Sequence, residues 1–279
     1  MICQSGLILT ETAGDAAGFP WVDDAVGRET RSWLEPMVSA GPEQWVANAP
    51  TDLRLLRVGE LVLPVSVDTD DAGRSYVVSP WAQYVAYAEE EVRRLANPWW
   101  RAGSMAAFHS LRPWMRRRAM DRVVQVNNWL VSTNLWADGM HGQVRPTVDF
   151  LRTIWPDRPV LLRSLDEQAQ PDLIRECQGV GARMIFSRVV TWQDPTKADF
   201  WRNRQLRVDR KRGAREGWTF RELGPADEAM APVLRRFYQA LYLEKYSRLN
   251  PDFTELFFRE ALNKGFVRIE LLLDASGVP

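Results

Sequence analysis

Between residues 123 and 192, three short apolar runs alternate with two amphipathic stretches, and few architectures accept that pattern. Runs 123–130, 160–163 and 183–192 have the length and composition of strands, while 146–155 and 171–178 have helical periodicity. Strands separated by helices lie in a sheet whose faces the helices cover. Upstream, 53–58 and 61–67 flank Gly59, and Tyr76-Val77-Val78 follows the turn Asp70-Asp71-Ala72-Gly73, which adds three more strands. Ser79-Pro80 marks a helix start, with Ser79 as N-cap and Pro80 at the first position. Behind it Trp81, Tyr84, Val85, Ala88, Val92 and Leu95 form one apolar stripe. Further helices are expected over 23–37 and 105–120. The resulting order, β-β-β-α-α-β-α-β-α-β, predicts an α/β fold on a mixed sheet.

The pattern changes over 194–217. Arg202, Arg204, Arg207, Arg210, Lys211, Arg212 and Arg215 crowd a stretch with few apolar residues. Two readings stand: an arm that binds phosphate or nucleic acid through 202–215, or a solvated interdomain linker with partial compensation from Asp194, Asp199, Asp209 and Glu216. A second unit opens with the alternating run 218–223. Asp227 is expected to cap a helix with the stripe Met230, Val233, Leu234, Phe237 and Leu241. The next helix has Asn250 as N-cap, Pro251 in its first position, Lys264 in its last turn and Gly265 beyond it. The strand 266–273 and the turn Asp274-Ala275-Ser276-Gly277 then leave only Val278 and Pro279 where a hairpin partner would start. Such a strand is expected to be an unpaired apolar edge, and the chain to be the front part of a longer protein.

Composition narrows the class without naming a ligand. The chain has 279 residues, of which 46% are hydrophobic and 26% charged, values that suit a globular core. No run approaches the roughly 20 apolar residues of a membrane span, and the first residues lack a secretory pattern. Cys3 and Cys177 are too few for a disulfide framework, and with His109 and His141 alone no zinc-ligand spacing exists. The expectation is a cytoplasmic protein without a structural metal. Net charge is zero, so no global attraction to nucleic acid or acidic membrane follows. Lys197, Lys211, Lys245 and Lys264 are the only lysines among 36 basic residues. Arginine suits phosphate and carboxylate recognition, but GC-rich coding gives the same bias.

Strand–helix–helix–strand–hairpin, read from residue 218, resembles the opening of the GCN5-related N-acetyltransferase (GNAT) fold. The order from 123 to 192 resembles the later half of that fold, and two such domains in tandem resemble its FemAB-like branch. The segment Tyr242-Leu243-Glu244-Lys245-Tyr246-Ser247-Arg248-Leu249-Asn250-Pro251-Asp252-Phe253-Thr254 is similar to a stretch found in bacterial GNAT proteins. The resemblance covers roughly residues 50–279. It implies a GNAT-like domain over 1–193, a basic linker over 194–217, and the first half of a second GNAT-like domain over 218–279. It implies an acyltransferase that moves an acyl group from acyl-CoA, or an aminoacyl donor, to a small-molecule or peptide amine. Residues 1–279 by themselves are expected to be inactive, with weak coenzyme A binding at most. The alternative is a non-catalytic binding module that holds an anionic partner through the arginine-rich segment.

The family's pyrophosphate loop, Gln/Arg-x-x-Gly-x-Gly/Ala, departs here to Ala137-Asp138-Gly139-Met140-His141-Gly142-Gln143-Val144-Arg145. Gly139, Gly142 and Arg145 are the cofactor candidates, but the spacing differs and Asp138 repels an anion, so the loop reads as degenerate. The resemblance puts substrates where the fourth strand splays from the fifth, near Asn127, Asn128, Ser132, Thr133 and Asn134. Those groups either bind a carbonyl or amine, or serve as strand-end and turn chemistry. Amine acylation needs a base for the amine proton and an acid for the leaving thiolate. Glu244 and Tyr246 are the catalytic candidates, beside Tyr242 and Lys245 as substrate groups. The other reading is an amphipathic helix end with Tyr242 packed on Tyr246.

Overall fold

The computed structural model describes every residue except 13, 69–73, 94, 95, 121, 278 and 279, and only the backbone of 112. The turn 70–73, Leu95, Val278 and Pro279 of the sequence reading thus lie outside the described residues. In chain order the elements are β1 (Ile2–Gln4), β2 (Leu7–Leu9), α1 (Ala25–Ala40), β3 (Asp52–Val58) and β4 (Leu61–Val67). There follow α2 (Tyr87–Arg93), α3 (Pro98–Arg117), β5 (Val124–Val126), α4 (Val144–Ile154), β6 (Val160–Leu162) and α5 (Pro171–Gly179). The remainder comprises α6 (Ala198–Arg202), α7 (Arg204–Glu216), β7 (Thr219–Leu223), α8 (Ala231–Tyr238), α9 (Glu255–Lys264) and β8 (Ile269–Leu273).

The chain is mixed α/β with a six-stranded mixed sheet in the order β1-β2-β3-β4-β5-β6. Its hub is the β3–β4 hairpin, where Gly59 takes φ +57 and lets Val58 pair with Leu61 across a two-residue turn. All pairs are antiparallel except β5–β6, which is parallel over three positions, Val124↔Val160 to Val126↔Leu162. A parallel pair needs a crossover, and α4 supplies it. Val144, Thr147, Val148, Phe150 and Leu151 of that helix are buried, and Val144, Val148, Phe150 and Leu151 share a core with Leu56, Val65 and Val126.

Two compact units emerge: Met1–Met184 with Ala231–Phe258, and Ile185–Met230 with Arg259–Pro279. The sequence pattern predicts a boundary across 194–217 and one domain over 218–279. In the first unit, residues 231–258 are instead tied to the loop before β3. The Asn48 carboxamide donates to the carbonyls of Arg248 and Asn250 and accepts the Asp252 N–H. Tyr76 N–H donates to the Leu249 carbonyl, and Trp45, 1% exposed, packs edge-on against Phe257. One half-buried amide that satisfies three main-chain groups two hundred residues away leaves no periodic mark in sequence.

The second unit holds α6, α7 and the antiparallel pair β7–β8, in register from Thr219↔Leu273 to Leu223↔Ile269. The strand expected as an unpaired edge is therefore paired along one side with β7. Helix α7 ends at Gly217, whose φ of +67 is the left-handed cap.

Several expectations need correction. Residues 183–192 form no strand; Phe186 and Val189 are 76% and 82% exposed, and β-branched residues without a neighbouring ladder stay irregular. Tyr76–Val78 is a turn, because Ser75 O accepts the Val78 and Ser79 N–H groups. The strand at 123–130 ends at Val126, since Asn127 turns left-handed at φ +59. Asn250 caps no helix: its buried side chain donates to the Tyr242 and Ser247 carbonyls, and Thr254 Oγ1 accepts the Phe257 N–H in front of α9. Asp227 binds the Gly224 N–H and Arg221, in a turn rather than at an α-helix cap. The first residues, expected to hold only a helix, also supply β1 and β2.

Candidate functional site

Where β5 ends, the chain leaves the sheet through two left-handed residues, Asn127 (φ +59) and Leu130 (φ +60). Non-glycine residues take this conformation only when their surroundings hold them there. Asn128, wholly buried, supplies part of that hold: Nδ2 donates to Ser66 Oγ at 2.7 Å and to the Val77 carbonyl at 2.8 Å, and Oδ1 accepts the Leu130 N–H. Asn127 Nδ2 donates to the Leu135 carbonyl while Oδ1 accepts from Trp129 Nε1 at 2.7 Å. The loop after β6 braces the same region. Ser164, also left-handed, accepts the Asn134 N–H through Oγ, and Trp136 Nε1 donates to the Arg163 carbonyl.

This scaffold walls a cleft of about 440 Å³ beyond the carboxyl end of β5. Helix α1 forms a facing wall; at Gly27 an added Cβ would lie 2.1 Å from the carbonyl of Val22, in the segment that leads into the helix. The lining is largely apolar, with Trp33 and Trp129 in ring contact at 5.0 Å. Its polar groups are few: Asn127, Thr30, Thr133, Asn134 and the carboxylates of Glu29 and Glu60. Glu60 is 3.4 Å from Arg57, whereas Glu29 has no ion pair among the described residues, and no Lys or Arg lines the cleft. Asn134 is 2% exposed; Oδ1 accepts the Trp129 N–H, and Nδ2 is buried with no hydrogen-bond partner among the described residues.

The structure thus gathers Asn127, Thr133 and Asn134 at the cleft but not the other substrate candidates. Asn128 is consumed inside the wall, and Ser132 Oγ is 2.6 Å from the Tyr76 hydroxyl. Tyr242, Glu244, Lys245 and Tyr246 sit on the π-helical turn Gln239–Tyr246. There Tyr242 stacks on Tyr238 at 4.6 Å, Lys245 lies over the Tyr246 ring, and all four side chains are exposed. Burial raises the Tyr238 hydroxyl above the ordinary tyrosine range, with neighbouring Tyr76 adding to it. Trp33, Trp129, Glu29 and Glu60 escaped sequence reasoning, since nothing in local spacing links α1 to the loop after β5.

The Gly139–Arg145 loop has its donors spent internally. Gly142 N–H donates to both Glu176 oxygens at 2.9 Å, and His141 Nδ1 is 3.5 Å from the same carboxylate. Arg145 donates to the Gly179 carbonyl. With a carboxylate already seated at the amide, this loop does not fit a coenzyme A pyrophosphate.

Among the described residues no three or more His, Cys, Asp and Glu gather in a way that could hold a metal, and no helix is long and apolar enough to cross a membrane. No protein-family model, curated protein or solved structure matches the chain.

Proposed function

We propose that the first unit binds the amine acceptor of an N-acyltransferase of GNAT-like, FemAB-like type. The observation that carries this reading is the cleft at the carboxyl end of β5, apolar in its walls, with Glu29 and Glu60 as the only charged groups among the described lining residues. Ligands of open α/β sheets bind outside the carboxyl ends of strands. Carboxylates without a matching cation in the lining suit an ammonium, and the tryptophan faces suit the apolar body of its carrier. Amine attack on an acyl carbonyl requires loss of a proton, which Glu29 would accept. The Gly139–Arg145 loop takes no part, and the acyl donor, acyl-CoA or aminoacyl, is held by other groups.

The test is acyl transfer from acetyl-CoA and from an aminoacyl donor to a panel of amines, followed by mass spectrometry. It is run on residues 1–279. The expected result is product, lost in Glu29→Gln; absence of product with every donor and amine would overturn the reading.

A second reading rests on α7, which buries no residue and presents Arg204, Arg207 and Lys211 without an acidic partner among the described residues. There the chain would be a binding module for an anionic partner. Retained anion binding with no acyl transfer would favour it.

A further inference from the structure

At the opposite, amino end of the parallel pair, an open depression of about 530 Å³ is lined by Arg117, Arg118, Arg152 and Arg158, with Asp157 as the only acid among the described lining residues. The four guanidinium groups come from three places: the end of α3, the last turn of α4 and the loop before β6. Arg158 is committed to the Asp68 carbonyl, and Arg118 lies 5.8 Å from the Trp114 ring centroid. Arg117 and Arg152 form no ion pair or side-chain hydrogen bond among the described residues, and Asp157 is within ion-pair distance of none of the four.

Some of this charge is explained by the fold. Arginines in a last helical turn complement the helix dipole, and both α3 and α4 end here. That effect is satisfied by one cation per helix and falls off within a turn. It does not account for four like charges around one concavity, which repel one another and favour any bound anion. The fork of an arginine matches phosphate oxygens in pairs, and the open depression leaves room for the rest of a nucleotide-sized ligand.

We infer that this cleft binds a small phosphate-bearing ligand, of pyrophosphate or nucleotide type. It lies at the end of the strands away from the acceptor cleft, so it does not depend on the acyltransferase reading.

Inorganic pyrophosphate and ATP are titrated into residues 1–279 by calorimetry, with sodium sulfate and a single-stranded RNA of about 20 nucleotides as comparisons. Both phosphate ligands should bind at one site per chain, with affinity that falls as salt rises. Arg117→Gln/Arg152→Gln should weaken binding by about tenfold or more, with far-UV circular dichroism unchanged. Arg204→Gln/Arg207→Gln, on α7, should leave it intact. The inference is overturned if neither phosphate ligand binds, or if the 117/152 variant binds as the parent does. It also fails if RNA binds while pyrophosphate and ATP do not.

Discussion

The Glu176 carboxylate accepts the Gly142 N–H with both oxygens, each at 2.9 Å, and so occupies the amide that an anion at the head of α4 would need. In wild type, titration with coenzyme A should leave the Gly142 amide resonance in place. Glu176→Ala should speed exchange of that amide and lower stability by about 1 kcal/mol, the low end for a bond to a charged group that is partly exposed. A saturable shift of Gly142 in the wild type would show that the loop opens to the ligand.

Asn128 holds the left-handed exit from β5 through three hydrogen bonds inside the wall. Asn128→Ala leaves the Ser66 hydroxyl and the Leu130 N–H short of a partner in a dry site. The expected cost is about 3 kcal/mol, read as a lower denaturant midpoint at unchanged slope. A loss under 0.5 kcal/mol would mean the loop is set by other contacts.

Trypsin should cut first at Arg183 or Arg188, where the chain is exposed and outside regular structure. Exposed backbone without ladder bonds opens at little cost. Initial cleavage at Arg207 or Arg210, within α7, would contradict this.

Cys177 is buried, and desolvation, with the nearby Glu176 charge, raises its thiol above the ordinary cysteine range; Cys3 is exposed. A raised folded-state value means the stabilising contribution is whole below the unfolded value of about 8.5 and is lost as pH rises through the folded one. At pH 8, Ellman's reagent should therefore label Cys3 at once and Cys177 only on unfolding. Labelling of both at equal rates would refute the burial argument.

Local sequence determined a good deal of this protein. The periodicity of 146–155 and 171–178, the Gly59 turn, the strand at 160–163 and the Gly265 helix end all depend on contacts within a few residues, and each is found close to where the residues place it. The mixed sheet followed from their order. Tertiary structure decided the rest. Residues 183–192 have every intrinsic preference of a strand and form none, because a strand exists only through a neighbour's hydrogen bonds. Asn250 has the credentials of an N-cap but is drawn inward by carbonyls at Tyr242 and Ser247. The cleft is of the same kind. Asn127 and Thr133 were legible as polar residues after a strand, but their partners, Glu29 and Trp33, stand about a hundred residues away on α1. Only packing brings α1 and the loop after β5 to one cleft.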